Sequence, residues 1–184
     1  NVETYFNPLI KQFTKFYNAD YIEPIEFYGN CYNGNADLYT TMSYLPHVDT
    51  FPGADEGMNP LNDYAFNINV TKSDKVKTAF YSFNGKKSVC DWTPDDYDDH
   101  DRVRDRHKKI KAKDWRLLSS ENFQNYQLEY VANIEYNSLI LYPSHYWHSV
   151  YIKEDWFTDT DRVTFTGFFE TKTTSSKTKK LGFG

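Results

Sequence analysis

Apolar residues at the start of the chain recur at three- and four-residue steps: Val2, Tyr5, Phe6, Leu9, Phe13, Phe16 and Tyr17. That spacing predicts one amphipathic helix, closed by Asn18-Ala19-Asp20. The period then falls to two. "YIEPIEFYG" (21–29) and "ADLYTTMSYL" (36–45) read as strands, the first at a sheet edge because Pro24 cannot donate to a ladder. "AFNINV" (65–70) alternates Phe66, Ile68 and Val70 with Ala65, Asn67 and Asn69. "TAFYSF" (78–83), "YQLEYVANI" (126–134), "SLILYP" (138–143) and "RVTFTGFFE" (162–170) complete the set. Many short strands after a single helix predict a mostly-β sandwich or jelly roll rather than βαβ units.

Two segments depart from this pattern. Residues 91–116 run from acidic to basic, with 15 charged residues between Asp95 and Arg116. Such a block cannot be core, and it predicts a long insertion or lid carrying a short helix over 102–113. Within it, "DDYDDHD" (95–101) reads either as an oxygen-rich cation site or as a solvated acidic loop. Without the spacing of a known cation loop, the second reading is preferred. The tail, 171–184, is polar and Lys-rich and is expected to be loosely ordered. Residues 1–170 are expected to form a single domain, a length that supports one proper core.

Composition sharpens this only in places. The aromatic share of 18% favours half-buried pleated surfaces over helical bundles. A net charge of −5 argues against nucleic acid or an anionic membrane as partner. No apolar run approaches the ~18 residues of a membrane span. Cys31 and Cys90 form neither a disulfide framework nor a metal-ligand pair, which suits a reducing, cytoplasmic compartment. Nothing in the sequence reads out an oligomeric state.

The candidate chemistry begins at "LPHVDTFPG" (45–53). His47 and Asp49 are two residues apart, so on an extended backbone both side chains leave the same face and can share one metal ion. A metal with positions left open for substrate needs about three protein ligands. The third is sought in "LYPSHYWHSVYI", which offers His145 and His148; on a strand, three residues apart, only one of them can face the site. An antiparallel roll can bring positions 47 and 148 into register on neighbouring strands. Further on, Arg162 and Thr164 share one face of their strand while Val163 and Phe165 take the other. A guanidinium buried on such a strand calls for an anionic partner, and its fork fits a carboxylate. A surface ion pair of Arg162 with Asp159 or Asp161 is the plainer alternative.

Together, "HVD" (47–49), "WHSV" (147–150) and "RVT" (162–164) resemble the H-x-D … H … R-x-S/T signature of the Fe(II)/2-oxoglutarate-dependent oxygenases, over roughly residues 37–170. The prolyl-4-hydroxylase-like branch, built on a double-stranded β-helix, is the nearest. The resemblance implies that His47, Asp49 and His148 hold Fe(II) as a two-histidine, one-carboxylate triad. His148 is preferred to His145 on the family's spacing, and His145 becomes a rim residue. Arg162 would then meet the far carboxylate of 2-oxoglutarate, with Thr164 as a hydroxyl donor and Tyr44 as a further candidate. Asn67 and Asn69 either face the interior, as polar contacts to cofactor or substrate, or lie on a solvated face.

The activity so implied consumes dioxygen and 2-oxoglutarate, releases succinate and carbon dioxide, and hydroxylates an unactivated C–H of a peptidyl side chain or a small metabolite. Because halogenases of this family lack the carboxylate ligand, Asp49 points to a hydroxylase. Two competing readings are a cupin-like metal-binding roll without 2-oxoglutarate turnover and a structural jelly roll in which the triad is accidental.

Overall fold

The computed structural model describes residues 2–32, 46–50, 63–107, 125–153 and 156–172. The predicted helix is α1 (Val2–Phe16). It stops where Asn18 turns left-handed at φ 49°. Asn18 N–H then donates to Lys15 O at 3.3 Å and Ala19 N–H to Thr14 O at 3.0 Å, which satisfies the last carbonyls.

Among the described residues seven strands follow: β1 (Tyr21–Tyr32), β2 (Asp63–Asn69), β3 (Lys77–Phe83), β4 (Tyr126–Asn133), β5 (Leu139–Pro143), β6 (His148–Val150) and β7 (Arg162–Lys172). Six of them match predicted runs. The seventh, β6, is three residues long and too short for periodicity to reveal. The predicted strand over 36–45 lies outside the described residues. One sheet has the order β1-β7-β2-β5 and the other β4-β3-β6. Among the described strands β1 lies at the edge of its sheet, as expected, and its register shifts between Pro24 and Glu26. An antiparallel bridge from His47 to His148 extends the smaller sheet beyond β6. The chain passes repeatedly from one sheet to the other, and among the described strands every pairing is antiparallel. That is the jelly roll the pattern called for.

The two sheets carry their apolar surface mainly on faces turned away from each other. On the larger sheet, Phe66, Phe169, Tyr64 and Ile68 pack under Leu9, Ile10, Phe13 and Tyr17 of α1. Phe13 stacks on Phe169 at 5.0 Å, and Tyr17 meets Tyr64 at 4.1 Å. On the smaller sheet, Ala79, Tyr81 and Phe83 join Val48, Trp147 and Val103.

Val103 belongs to α2 (Pro94–His107), so the charged insertion does hold a helix, but one starting eight residues earlier than the predicted 102. The reason is its cap. Thr93 precedes Pro94, and both its amide and its hydroxyl donate to Asp96 Oδ2, at 2.7 and 2.6 Å. Val103 and His100 form its inward side, and both His100 and the exposed Tyr97 touch Trp92. The cluster 95–101 is therefore a helix turn rather than a loop.

Gly167 sits in β7 directly between Phe27 and Phe66 of the flanking strands. A Cβ there would run into the Phe66 ring and stand 3.1 Å from Phe27. Gly167→Ala is accordingly expected to cost about 1–3 kcal/mol in denaturant unfolding, and Phe66→Leu in that background to recover part of the loss.

Asp96 supplies a test with a pH sign. Burial would raise its carboxyl, but donors from Lys86, Thr93 and Asn84 prevail and hold it well below the usual carboxylate range. A depressed folded-state value means stability present at neutral pH and lost as pH falls below the unfolded value of about 3.9. Asp96→Asn should destabilise by roughly 1.5–3 kcal/mol at pH 7. The gap from the parent should narrow as thermal melts are repeated below about pH 4.

Candidate metal centre

The site begins with backbone geometry. His47 N–H donates to His148 O at 2.8 Å and His148 N–H returns the bond to His47 O at 2.9 Å. This is one antiparallel residue pair, so the two side chains emerge on the same face, with ring centroids 4.5 Å apart. Two residues on, Asp49 N–H bonds Ser144 O at 2.8 Å, tying the carboxylate-bearing segment to the turn before β6. Between them Val48 points the other way, into the apolar cluster. The alternation read from "HVD" thus holds.

The three side chains converge. His47 Nε2 lies 3.8 Å from Asp49 Oδ1, and His148 Nε2 lies 3.4 Å from Asp49 Oδ2. One ligand atom from each of His47, Asp49 and His148 falls within 4.8 Å of the others. Octahedral neighbours at metal–ligand distances of ~2.1 Å stand about 3 Å apart, so a transition-metal ion needs only a small inward adjustment.

The proton inventory tests the fit independently. His148 Nδ1 faces the carbonyl of Tyr146 at 2.9 Å and must be the N–H donor, which leaves Nε2 as a bare lone pair. Burial holds this imidazole neutral, with its pKa lowered to about 4, the Tyr146 bond opposing only in part. Asp49 Oδ2, the atom it faces, is buried and accepts no hydrogen bond. Two acceptors at 3.4 Å repel unless a cation lies between them. Burial likewise pushes Asp49 up to about 6, with His47 pulling the other way. The donor set of two imidazoles and one carboxylate suits iron, manganese or zinc.

The triad opens into a cavity of about 270 Å³ between the sheets. Arg162 is 6% exposed and lines it, so burial, not a surface position, describes this guanidinium. Its Nη1 donates to Thr164 Oγ1 at 3.3 Å. Asn67 also lines the cavity; its Nδ2 donates to Tyr142 Oη at 2.9 Å and its Oδ1 accepts from Thr166 at 2.6 Å. Asn69 faces inward too but serves the fold, donating to Ile134 O and capping the Thr71 amide. His145 is 6% exposed and its carbonyl accepts from Val89 N–H, so it is a buried residue rather than a rim one. Tyr44 lies outside the described residues.

Sequence reasoning missed Tyr142, Thr166 and Asn30, all of which line the cavity. Thr166 was recoverable, since it continues the period-two face of Arg162 and Thr164. Tyr142 was not, because it sits in the apolar run "LILYP" and looks like core. Burial raises its hydroxyl well above the ordinary tyrosine range, reinforced by Asp49 and Tyr28 and opposed by Asn67 and Arg162. Among the described helices none is long and apolar enough to cross a membrane. Cys31 and Cys90 are both free.

No family model matches the sequence, and no curated protein matches it either. Several solved structures do. An N-substituted L-amino acid dioxygenase from Burkholderia ambifaria, in complex with alpha-KG, is 11% identical with a TM-score of 0.47, over 87% of this chain and 57% of that one. HygX from Streptomyces hygroscopicus, with iron bound, is 11% identical with a TM-score of 0.44, over 82% of this chain and 58% of its own. The chain spans a little over half the length of each.

Because Asp49 Oδ2 opposes His148 Nε2, Asp49→Asn should raise the melting temperature of metal-free protein by about 2–4 °C per kcal/mol of relieved repulsion. The same substitution should abolish the rise that Mn(II) gives the parent protein in a thermal-shift assay.

Proposed function

We propose that the protein is an Fe(II)- and 2-oxoglutarate-dependent oxygenase that hydroxylates an unactivated C–H, with succinate and carbon dioxide as coproducts. The observation that carries this reading is the pairing, across one cavity, of a metal-competent His47–Asp49–His148 group with a buried Arg162. A metal site alone would serve many proteins. A buried guanidinium on β7, in the other sheet and lining the same cavity, has a fork that suits a ligand anionic at the end remote from the metal.

His47, Asp49 and His148 would hold the iron from one side, leaving its other positions to ligands from the cavity. When bound, the iron and cosubstrate together supply dioxygen activation coupled to oxidative decarboxylation. The chain's own residues do the rest. His148 is held in one tautomer by Tyr146 O, so its Nε2 is always available as a ligand. Arg162 and Thr164 would receive the far carboxylate and set the depth of the cosubstrate. The substrate, a peptidyl side chain or a small metabolite, would enter from the side where His47 is exposed, with a side-chain accessibility of 51%. These features support the superfamily; none of them distinguishes its prolyl-4-hydroxylase-like branch from the others.

Aerobic incubation with Fe(II), ascorbate and 2-oxoglutarate should yield succinate even without a target substrate. His148→Ala should remove that turnover. Arg162→Ala should raise the 2-oxoglutarate KM roughly ten- to a hundredfold while metal affinity holds, the loss expected for a charged hydrogen-bond partner. Metal binding without any 2-oxoglutarate turnover would favour the cupin-like reading instead.

A further inference from the structure

Trp147 is the covalent neighbour of His148, and alternation sends its indole to the opposite face of the smaller sheet, into the apolar cluster. It is 0% exposed. Trp92 stacks on it, with ring centroids 4.9 Å apart and an interplanar angle of 21°. Tyr97, in the first turn of α2, meets the Trp92 ring edge-on at 5.0 Å. Tyr97 is 37% exposed. Three rings in contact thus lead from the residue beside a metal ligand to solvent.

Tryptophan and tyrosine give up an electron far more readily than phenylalanine, so the branches of this cluster are not equivalent. Tyr142 touches the His148 ring at 4.6 Å, but its other described ring contact is with Phe80, at 5.2 Å, and that path ends there. Tyr126 touches Trp147 at 5.5 Å, but it is buried and its hydroxyl faces the Pro46 carbonyl, which cannot take its proton. Trp92 Nε1 is buried, with no hydrogen-bond partner among the described residues. Once oxidised, this indole has no base to receive its proton and stays a strong oxidant. Tyr97 is the member of the row whose phenol stands where water can accept a proton.

We propose that Trp147, Trp92 and Tyr97 form a path that drains oxidising equivalents from the metal site when no target C–H is present, and so protects the chain from its own oxidant. This rests on the proposed function, in which dioxygen and 2-oxoglutarate supply that oxidant. Trp147 gives one electron to the site, Trp92 gives one to Trp147, and Tyr97 gives one to Trp92. The Tyr97 phenol releases its proton to water as its electron leaves. A soluble reductant of the ascorbate class returns an electron and a proton to Tyr97. Two such passages, with two protons taken up at the site, consume the two-electron oxidant and leave water.

Aerobic incubation of the full chain with Fe(II) and 2-oxoglutarate, without a target substrate, tests the path in two ways. Freeze-quenched samples without ascorbate are read by electron paramagnetic resonance, and succinate formed per chain before inactivation is counted with ascorbate present. The parent should show a tyrosyl radical. Tyr97→Phe keeps the ring on Trp92; it should start at the parental rate, lose that signal and inactivate after fewer turnovers. Peptide mass spectrometry should then find added oxygen on Trp92 or Trp147. Trp92→Phe should behave alike, and Tyr97→Phe decides alone if Trp92→Phe does not fold. A succinate-forming parent without a tyrosyl signal, or Tyr97→Phe with parental signal and lifetime, would overturn the path and leave the proposed function standing. A parent that forms no succinate would overturn both.

Discussion

The antiparallel pairing of His47 with His148 is the constraint from which the site follows. Two backbone hydrogen bonds, of 2.8 and 2.9 Å, join segments far apart in the chain and place two imidazoles side by side. Asp49 then needs no separate device. It follows His47 by one strand repeat, and its amide is held by Ser144 O. Because these contacts are main-chain, the convergence does not depend on the side chains attracting one another. It persists even though, without a cation, they repel. The fold thus sets two acceptors against each other at the triad, an opposition that a divalent ion would relieve.

That opposition is tolerable because the stabilising apolar contacts lie elsewhere. In an ordinary sandwich the facing inner surfaces supply the core. Here α1 covers the outer face of the larger sheet through Phe13, Phe66 and Phe169, and Trp147, Phe83 and Val103 pack on the smaller one. The space between the sheets is left to Arg162, Thr164, Thr166, Asn67 and Tyr142, each buried and hydrogen-bonded. The helix α2 is drawn into this scheme by its cap, since Asp96 anchors its first turn to Thr93 and Lys86. A stretch that looks too charged to pack nevertheless contributes Val103, 5% exposed, to the core.

How much of this the sequence disclosed follows from the length of each signal. Strands of five residues or more alternate long enough to be read, and β7 went further, separating Arg162 and Thr164 from Val163 and Phe165. Phe165 indeed lies on the other face, stacked on Phe27 at 5.5 Å. The pairing of 47 with 148 was legible only as a possibility of antiparallel geometry, since β6 has too few residues to show a period. The start of α2 was missed because counting charges hid the Thr93 cap. Asn67 and Asn69 were correctly seen as one face, but alternation does not say which face is wet; that is fixed by α1, which claims Phe66 and Ile68. The hydrogen bonds linking Asn30, Thr166, Asn67 and Tyr142 were invisible in principle, for these residues come from four strands and only the tertiary pairing brings them together.

Hydrogen-bond direction adds what residue identity does not. Asn, Thr and Tyr are each able to donate or accept, so a cavity lined by them has no fixed polarity by composition. Fixing one proton, that of Asn30 on Thr166, fixes the next two in turn and turns Tyr142 outward as a donor. Fixing another, that of His148 on Tyr146 O, turns Nε2 into an acceptor. The cavity thereby gains an acceptor atom at the triad and a donor at Tyr142, which its composition alone does not settle.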